Sequence, residues 1–128
     1  MESKRQQKFA RIIQQDLGDI FLREGNSWLP GVMITVTSVR VTSDLGIARV
    51  YLSFLNAKSP QEAIDQVKSK SGEIRYKLGN KIKDQAKSVP TLEFFIDDSV
   101  EYRQHIDKLF DEINKGKADN KGADNGDA

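Results

Sequence analysis

The chain has 128 residues, of which 38% are hydrophobic and 30% are charged, and its formal net charge is +1. This length fits one domain with a single modest core, because two smaller cores would not offset the chain entropy lost on folding. The chain contains no cysteine, which excludes disulfides, thiolate catalysis and sulfur-ligated metals. The start is charged and no later apolar run could span a bilayer, so we expect a cytoplasmic protein without a membrane partner.

The first predicted element is an amphipathic helix that ends near Gly25. From Phe9 onward, apolar residues recur at spacings of three and four, as on the buried face of a helix. A hairpin follows, because two segments rich in β-branched and aromatic residues, GVMITVTSVRVTS and IARVYLSFL, flank the turn sequence SDLG. The first segment changes its apolar parity between Val36 and Val39, which predicts either a bulge near Ser38 or a strand partly covered on both faces.

A kinked helix and a third strand follow the hairpin. Ser59 and Pro60 are typical of an N-cap and a first helical position, and the apolar spacing continues past a break expected at Lys70 to Gly72. Pro90 ends this helical segment, and the alternation in TLEFFID predicts a third strand.

A closing helix is expected from Asp98 or Ser99, with Glu101 completing a capping box. The segment after residue 115, GKADNKGADNGDA, has no large apolar side chain, so residues 116–128 are predicted to be a disordered tail. A three-stranded sheet needs helices against its apolar face. The predicted fold class is therefore a two-layer α+β sandwich over residues 1–115.

Positive charge is concentrated in two places. Residues 66–90 contain seven Lys or Arg against two acids, and residues 1–15 contain four against one. Helical spacing places Lys70, Lys77 and Lys81 in one row beside the apolar stripe, and Lys68 and Arg75 on its other flank. These rows are either solvated flanks, with lysine stems covering apolar neighbours, or a phosphate-binding surface.

Four stretches in order give the chain a family resemblance. RQQKFARIIQQDLGDIF, ITVTSVRVTSDLGIARVYLSF, SG followed by IRYKLGNKI, and VPTLEFFIDDSVEY together resemble the ribosome-binding factor A family, from residue 3 to about 113. The resemblance implies a type II KH-like fold with an added C-terminal helix. It also implies a non-catalytic assembly factor that binds the small (30S) ribosomal subunit precursor, assists late maturation of its 16S rRNA and contributes to growth in the cold.

KH domains hold the nucleic-acid backbone with a GXXG loop between two helices. The chain has no such tetrapeptide, and the family resembles a KH domain with an Ala-x-Gly kink at that place. Here the triplet is Lys70-Ser71-Gly72, so lysine replaces the small residue. Gly72 is either a helix break without a ligand or part of the RNA surface. The expected RNA-binding residues are Lys4, Arg5, Lys8, Arg11, Lys68, Lys70, Ser71, Gly72, Arg75, Lys77, Lys81 and Lys83.

Other residues give weaker indications. Asp97, Asp98 and Glu101 are better explained by helix capping than by a metal site, and His105 is a lone surface histidine. Arg49 and Tyr51 face away from the apolar row of their strand, where a base could stack or a Tyr could pack under the closing helix. Trp28, expected in a loop, could anchor a partner or cover the sheet edge.

Three classes of function remain. The first is a monomeric RNA-binding factor that acts on the small ribosomal subunit and its rRNA. The second is a protein-interaction module that docks through its sheet or closing helix. The third is an enzyme, which lacks support because we find no P-loop, catalytic constellation, cofactor motif or small-molecule site in the sequence.

Overall fold

The computed structural model describes residues 2–85 and 88–98, and those up to Asp97 form one compact unit. The order of elements is the predicted one. The helices and strands are α1 (Lys4–Trp28), β1 (Met33–Val41), β2 (Ile47–Leu55), α2 (Pro60–Ser69), α3 (Ser71–Ile82) and β3 (Thr91–Ile96). The predicted closing helix beyond Asp98 and the tail at 116–128 lie outside the described residues, so the domain boundary at residue 115 stays a prediction.

The sheet has β2 at its centre, antiparallel to β1 and parallel to β3. The register of β1 shifts between Val36 and Ser38, which confirms the bulge near Ser38. Since side chains alternate along a strand, the extra residue returns Val39 to the same face as Val36, and both are buried. The bulge therefore gives β1 a continuous core face despite the change of parity in its sequence.

Helix α1 is longer than predicted. It begins after a capping box in which Ser3 accepts from the Gln6 backbone and the Gln6 side chain accepts from the Ser3 backbone. It continues past Gly25 to Trp28, so the predicted end at Gly25 is wrong. A Cβ on Gly25 would lie 3.2 Å from Ile34 Cδ1, and this close approach to β1 explains the glycine inside the helix.

The break between α2 and α3 lies at Lys70, as predicted. Ser59 caps α2 by accepting from the Glu62 backbone at 3.2 Å, and Pro60 opens the helix. The Lys70 backbone N–H then donates to the Val67 carbonyl at 2.9 Å, which tightens the last turn and allows the chain to begin a new helix at Ser71.

The core lies between the helices and one face of the sheet, which confirms the two-layer α+β class. Its members form one cluster, and no polar or charged side chain among the described residues is buried. The side chains below 2% exposure include Ile13 and Leu17 of α1, Val67 of α2, Ile74, Leu78 and Ile82 of α3, and Val50 and Leu52 of β2. Burial of such side chains stabilises a fold by roughly 1.5–3 kcal/mol each, so this layer fixes how α1 and α3 face each other.

Candidate nucleic-acid interface

Two of the predicted RNA-binding lysines on α3 form ion pairs with α1. Lys81 Nζ donates to Asp19 Oδ2 at 2.6 Å, and Lys77 Nζ lies 3.7 Å from Glu24 Oε2. The side chains of both lysines are only about one third exposed, at 34% and 36%. Surface pairs of this kind are weak, but each one gives the lysine an anionic partner inside the protein.

The carboxylates on α1 respond to this pairing in different ways. The hydrogen bond from Lys81 lowers the pKa of Asp19, with a further contribution from Arg23, which lies 3.2 Å away. Burial instead raises the pKa of Asp16, and the nearby Lys81 counters this only in part. Asp19 is therefore the charged partner that holds Lys81 at neutral pH.

Arg75, also a predicted RNA contact, binds the protein's own backbone. Its Nη2 donates to the Val89 carbonyl at 2.8 Å and its Nε donates to the Pro90 carbonyl at 3.2 Å. These two bonds tie α3 to the segment that leads into β3. Because the guanidinium has five N–H donors, Arg75 retains donors for a ligand, but its position serves the fold first.

The remaining predicted cations have no partner among the described residues. Among residues 2–85 and 88–98, no hydrogen bond or ion pair engages the charged groups of Lys68, Lys70 and Lys83 around α2 and α3, or of Lys4, Arg5, Lys8 and Arg11 on α1. All of these side chains are exposed except that of Lys70, which is partly buried. We call the first set the junction cations and the second set the α1 cations.

The start of α3 lies beside the junction cations. Lys70 precedes it with φ −100° and ψ 9°, and no side chain caps the first turn. Ser71 is partly buried, and Gly72 is exposed with no atom within 4 Å of a Cβ built on it. No packing inside the described protein therefore requires glycine at position 72, and the backbone N–H groups of this turn remain open to a ligand.

The face of the sheet opposite the helices carries the two β2 residues noted in the sequence. Arg49 Nε lies 3.3 Å from Glu93 Oε1, and the Tyr51 ring stacks on Phe95 with centroids 5.4 Å apart. Phe95 and Met33 are exposed large apolar residues on this face. The predicted packing of Tyr51 under the closing helix involves residues outside those described.

The sequence suggested that Trp28 lies in a loop, but the structure shows otherwise. It is the last residue of α1, is buried, and meets Phe21 edge to face with ring centroids 6.1 Å apart. The expectation was wrong because the glycine at position 25 was interpreted as a helix end. Trp28 therefore belongs to the core and is not available as an exposed anchor.

Asp97, at the end of β3, contacts the bulge of β1. Thr37 Oγ1 donates to Asp97 Oδ2 and to the Tyr51 carbonyl, which connects the β1 bulge to the end of β3. Within the described ranges, no group of three or more His, Asp or Glu side chains could hold a metal ion. The capping roles proposed for Ser99 and Glu101, and the surface position proposed for His105, fall outside these ranges.

No helix in the described part of the chain has both the length and the apolar character needed to cross a membrane.

Asp19 and Glu24 are not recognisable from the sequence as partners of the lysines. They lie five positions apart on α1, a spacing that marks no motif. Only the packing of α1 against α3 brings them to Lys81 and Lys77. Their negative charge was visible in the sequence, but their partners could not be assigned without the helix contact.

Comparison with known proteins identifies the family. The family model for Ribosome-binding factor A matches residues 5–110. The ribosome-binding factor A of Cytophaga hutchinsonii is 36% identical over 124 residues, covering 97% of this chain and 93% of the relative. These matches span the described elements and continue beyond them.

Two structures of relatives, one a crystal structure and one a homology model, show the same fold at low sequence identity. The crystal structure of ribosome-binding factor A from Thermus thermophilus gives a TM-score of 0.61 at 16% identity, covering 71% of this chain and 94% of that chain. A homology model of the Thermus thermophilus factor, fitted into the cryo-EM map of a 30S–RbfA complex, gives 0.54 at 18% identity and covers 66% and 86%. With the family match over most of its length, the chain belongs to the ribosome-binding factor A family.

Proposed function

We propose that this protein binds the RNA of the small ribosomal subunit precursor and assists late maturation of its 16S rRNA. The observation that carries the proposal is the set of junction cations and α1 cations, which have no partner within the described protein although nearby lysines are paired. Unpaired cations on a surface attract a polyanion, and each phosphate contact releases condensed counterions. The 30S–RbfA complex of the Thermus thermophilus relative supports the choice of the small subunit as the partner.

The proposal gives the predicted RNA-binding residues different roles. Lys68, Lys70 and Lys83 contact phosphate directly, and the open first turn of α3 at Ser71 and Gly72 adds backbone donors. The α1 cations Lys4, Arg5, Lys8 and Arg11 extend the contact. Lys77 and Lys81 contribute through long-range electrostatic attraction of the RNA, or directly where RNA displaces Glu24 and Asp19. Arg75 holds α3 in place.

The proposal also includes what the family resemblance implies. The protein acts in the cytoplasm as a monomer, without a catalytic step, and its effect on subunit maturation is greatest in the cold. Binding depends on charge, so its free energy is expected to weaken steeply as salt rises.

Salt-dependent binding to purified immature small subunits tests the proposal. Replacing Lys68, Lys70 and Lys83 by Gln keeps long side chains and helix propensity. This variant should bind more weakly, and the slope of log affinity against log salt should flatten by roughly 0.7–0.9 for each phosphate that the variant no longer neutralises.

A control for bulk charge replaces Lys117 and Lys121, in the predicted tail, by Gln and should leave the slope nearly unchanged. Circular dichroism checks the fold of each variant. An unchanged slope in the junction variant would show that these lysines only solvate the helices.

A second candidate function is docking of another protein on the outer face of the sheet. The stacked Tyr51 and Phe95 rings and the exposed Met33 favour it. An apolar interface of this kind binds with little dependence on salt. Subunit binding that is insensitive to salt and is lost on Phe95→Ser would favour this second function over RNA binding.

A further inference from the structure

A cleft of about 920 Å³ lies between the N-terminal half of α1, the β1–β2 turn and the segment after α3. Its described lining residues come from α1 (Arg5, Lys8, Phe9, Ile12), from the turn (Asp44, Leu45) and from the approach to β3 (Gln85, Ser88). Its volume is within the roughly 300–1,000 Å³ typical of clefts that hold small ligands. The cleft does not include the junction cations and is a separate place on the surface.

The cleft combines an apolar floor with a basic rim. Phe9 is buried at its base, and Ile12 and Leu45 are partly buried beside it. Arg5 and Lys8 line the same cleft, are exposed, and belong to the α1 cations that have no partner among the described residues. The site therefore offers an apolar surface next to two positive charges that have no partner among the described residues.

Asp44, the carboxylate among the described lining residues, forms no ion pair with Arg5 or Lys8. Asp44 Oδ1 accepts from Thr42 Oγ1 at 2.7 Å and from the Gly46 N–H at 2.9 Å. The hydrogen bond from Thr42, followed by that from Gly46, lowers the pKa of Asp44. Asp44 is thus committed to the turn, in which Leu45 adopts φ 60° and presents its side chain to the cleft.

This combination matches the chemistry of one unpaired nucleotide. A base is flat, largely apolar on its faces, and packs on aromatic and aliphatic side chains, whereas its phosphate pairs with Arg or Lys. A base inside a duplex is stacked between its neighbours and cannot enter a cleft. We propose that this cleft binds a single unpaired nucleotide of an RNA strand, with the base over Phe9, Ile12 and Leu45 and a phosphate between Arg5 and Lys8.

The inference rests on the proposed function, which supplies RNA as the ligand, and it adds the feature of the RNA that is recognised. Arg5 and Lys8 then have a role that the other two α1 cations do not share. Lys4 and Arg11 lie on the same helix and carry the same charge, but they do not line the cleft. This difference provides a matched control.

The experiment follows the backbone amide signals of isotopically labelled full-length protein during titration with a short single-stranded adenosine oligonucleotide. Signals of Phe9, Ile12 and Leu45 should shift, and an abasic oligonucleotide of the same length should bind about tenfold more weakly because it lacks the base. Adenosine monophosphate should shift the same signals only at much higher concentration. Binding of the monophosphate as tight as that of the oligonucleotide would overturn the assignment to an RNA strand.

Variants separate the cleft from the general charge of the helix. Replacing Arg5 and Lys8 by Gln should weaken oligonucleotide binding about tenfold or more, whereas replacing Lys4 and Arg11 by Gln should change it much less. Leu45→Asn keeps a residue that tolerates positive φ, leaves the charge unchanged, and should weaken binding of the oligonucleotide but not of its abasic form. Equal weakening by the two double variants would overturn the proposal, since oligonucleotide binding would then depend only on the total positive charge of α1.

A parallel measurement separates this inference from the function on which it rests. If the parent protein binds immature small subunits but its cleft signals do not move with the oligonucleotide, the cleft assignment is wrong and the function stands. If the parent does not bind the subunits at all, the proposed function itself fails.

Discussion

Replacing Gly72 by Ala should separate the stability of the fold from its binding. Gly72 is the second residue of α3, is exposed, and has no atom within 4 Å of an added Cβ. The substitution therefore introduces no clash inside the described protein. Ala exceeds Gly by about 0.8–1.0 kcal/mol in a helix interior, and we expect about half of that gain in a first turn.

The expected change in stability is measurable. For a domain of this size, 1 kcal/mol shifts the melting temperature by roughly 4–8 °C, so Gly72→Ala should raise it by about 2–4 °C. If RNA phosphate approaches the open first turn of α3, the new methyl group lies between the phosphate and the backbone donors. The loss of one hydrogen bond to a charged group should then weaken binding to immature small subunits about tenfold.

Gly18→Ala is the matched control. Gly18 lies inside α1, far from the α2–α3 break in sequence, and an added Cβ also meets nothing within 4 Å. This variant should gain stability by the full helix-interior amount and bind like the parent. The measurements are thermal unfolding by circular dichroism and binding to purified immature subunits. Unchanged affinity in Gly72→Ala would refute the reasoning and leave Gly72 as a helix break without a ligand.

Four further outcomes are expected. Replacing Lys77 and Lys81 by Gln should flatten the salt slope by less than the junction variant does, because both lysines are already paired; an equal effect would contradict this. Asp19→Asn should free Lys81 and steepen the slope by roughly 0.7–0.9. The folded pKa of Asp19 is depressed below 3.8, so its ion pair stabilises the protein above that pH. This stabilisation is lost as the pH falls through the folded pKa. The stabilities of the parent and of Asp19→Asn should therefore converge in acid. Removing residues 116–128 should leave the melting temperature unchanged, and a clear drop would show that this segment packs on the protein. Cells that lack the protein should accumulate free small subunits with immature RNA ends at low temperature, and normal subunit profiles there would count against the proposed function.

The sequence by itself determined the order of the elements and the residues that face the core. Apolar spacing of three and four marks the helices, alternation marks the strands, and Ser59 with Pro60 marks the start of α2. The change in parity between Val36 and Val39 left two interpretations, a bulge or a strand partly covered on both faces, and the register of β1 decided for the bulge. These features are local, since each depends on residues only a few positions apart.

Glycines show where local information failed. Gly25 resembles a helix terminator in sequence but lies within α1, where Ile34 of β1 comes close. Gly79 lies in α3, where an added Cβ would be 2.9 Å from Val89 Cγ2. In both cases the glycine makes room for a side chain outside its own helix, and a short sequence window cannot distinguish this role from a break.

Tertiary structure alone decided which positive charges are available. In sequence, nothing distinguishes the availability of Lys77 and Lys81 from that of Lys68 and Lys83, since all four are lysines of the same basic stretch at residues 66–90. The packing of α3 on α1 brings the first two within reach of Glu24 and Asp19 and leaves the other two without a partner among the described residues. The same packing of distant segments places Arg5 and Lys8 beside the β1–β2 turn to form the cleft. Charge pairing acts over a few ångströms between residues far apart in the chain, so only the packed core, which fixes how the helices face each other, determines it.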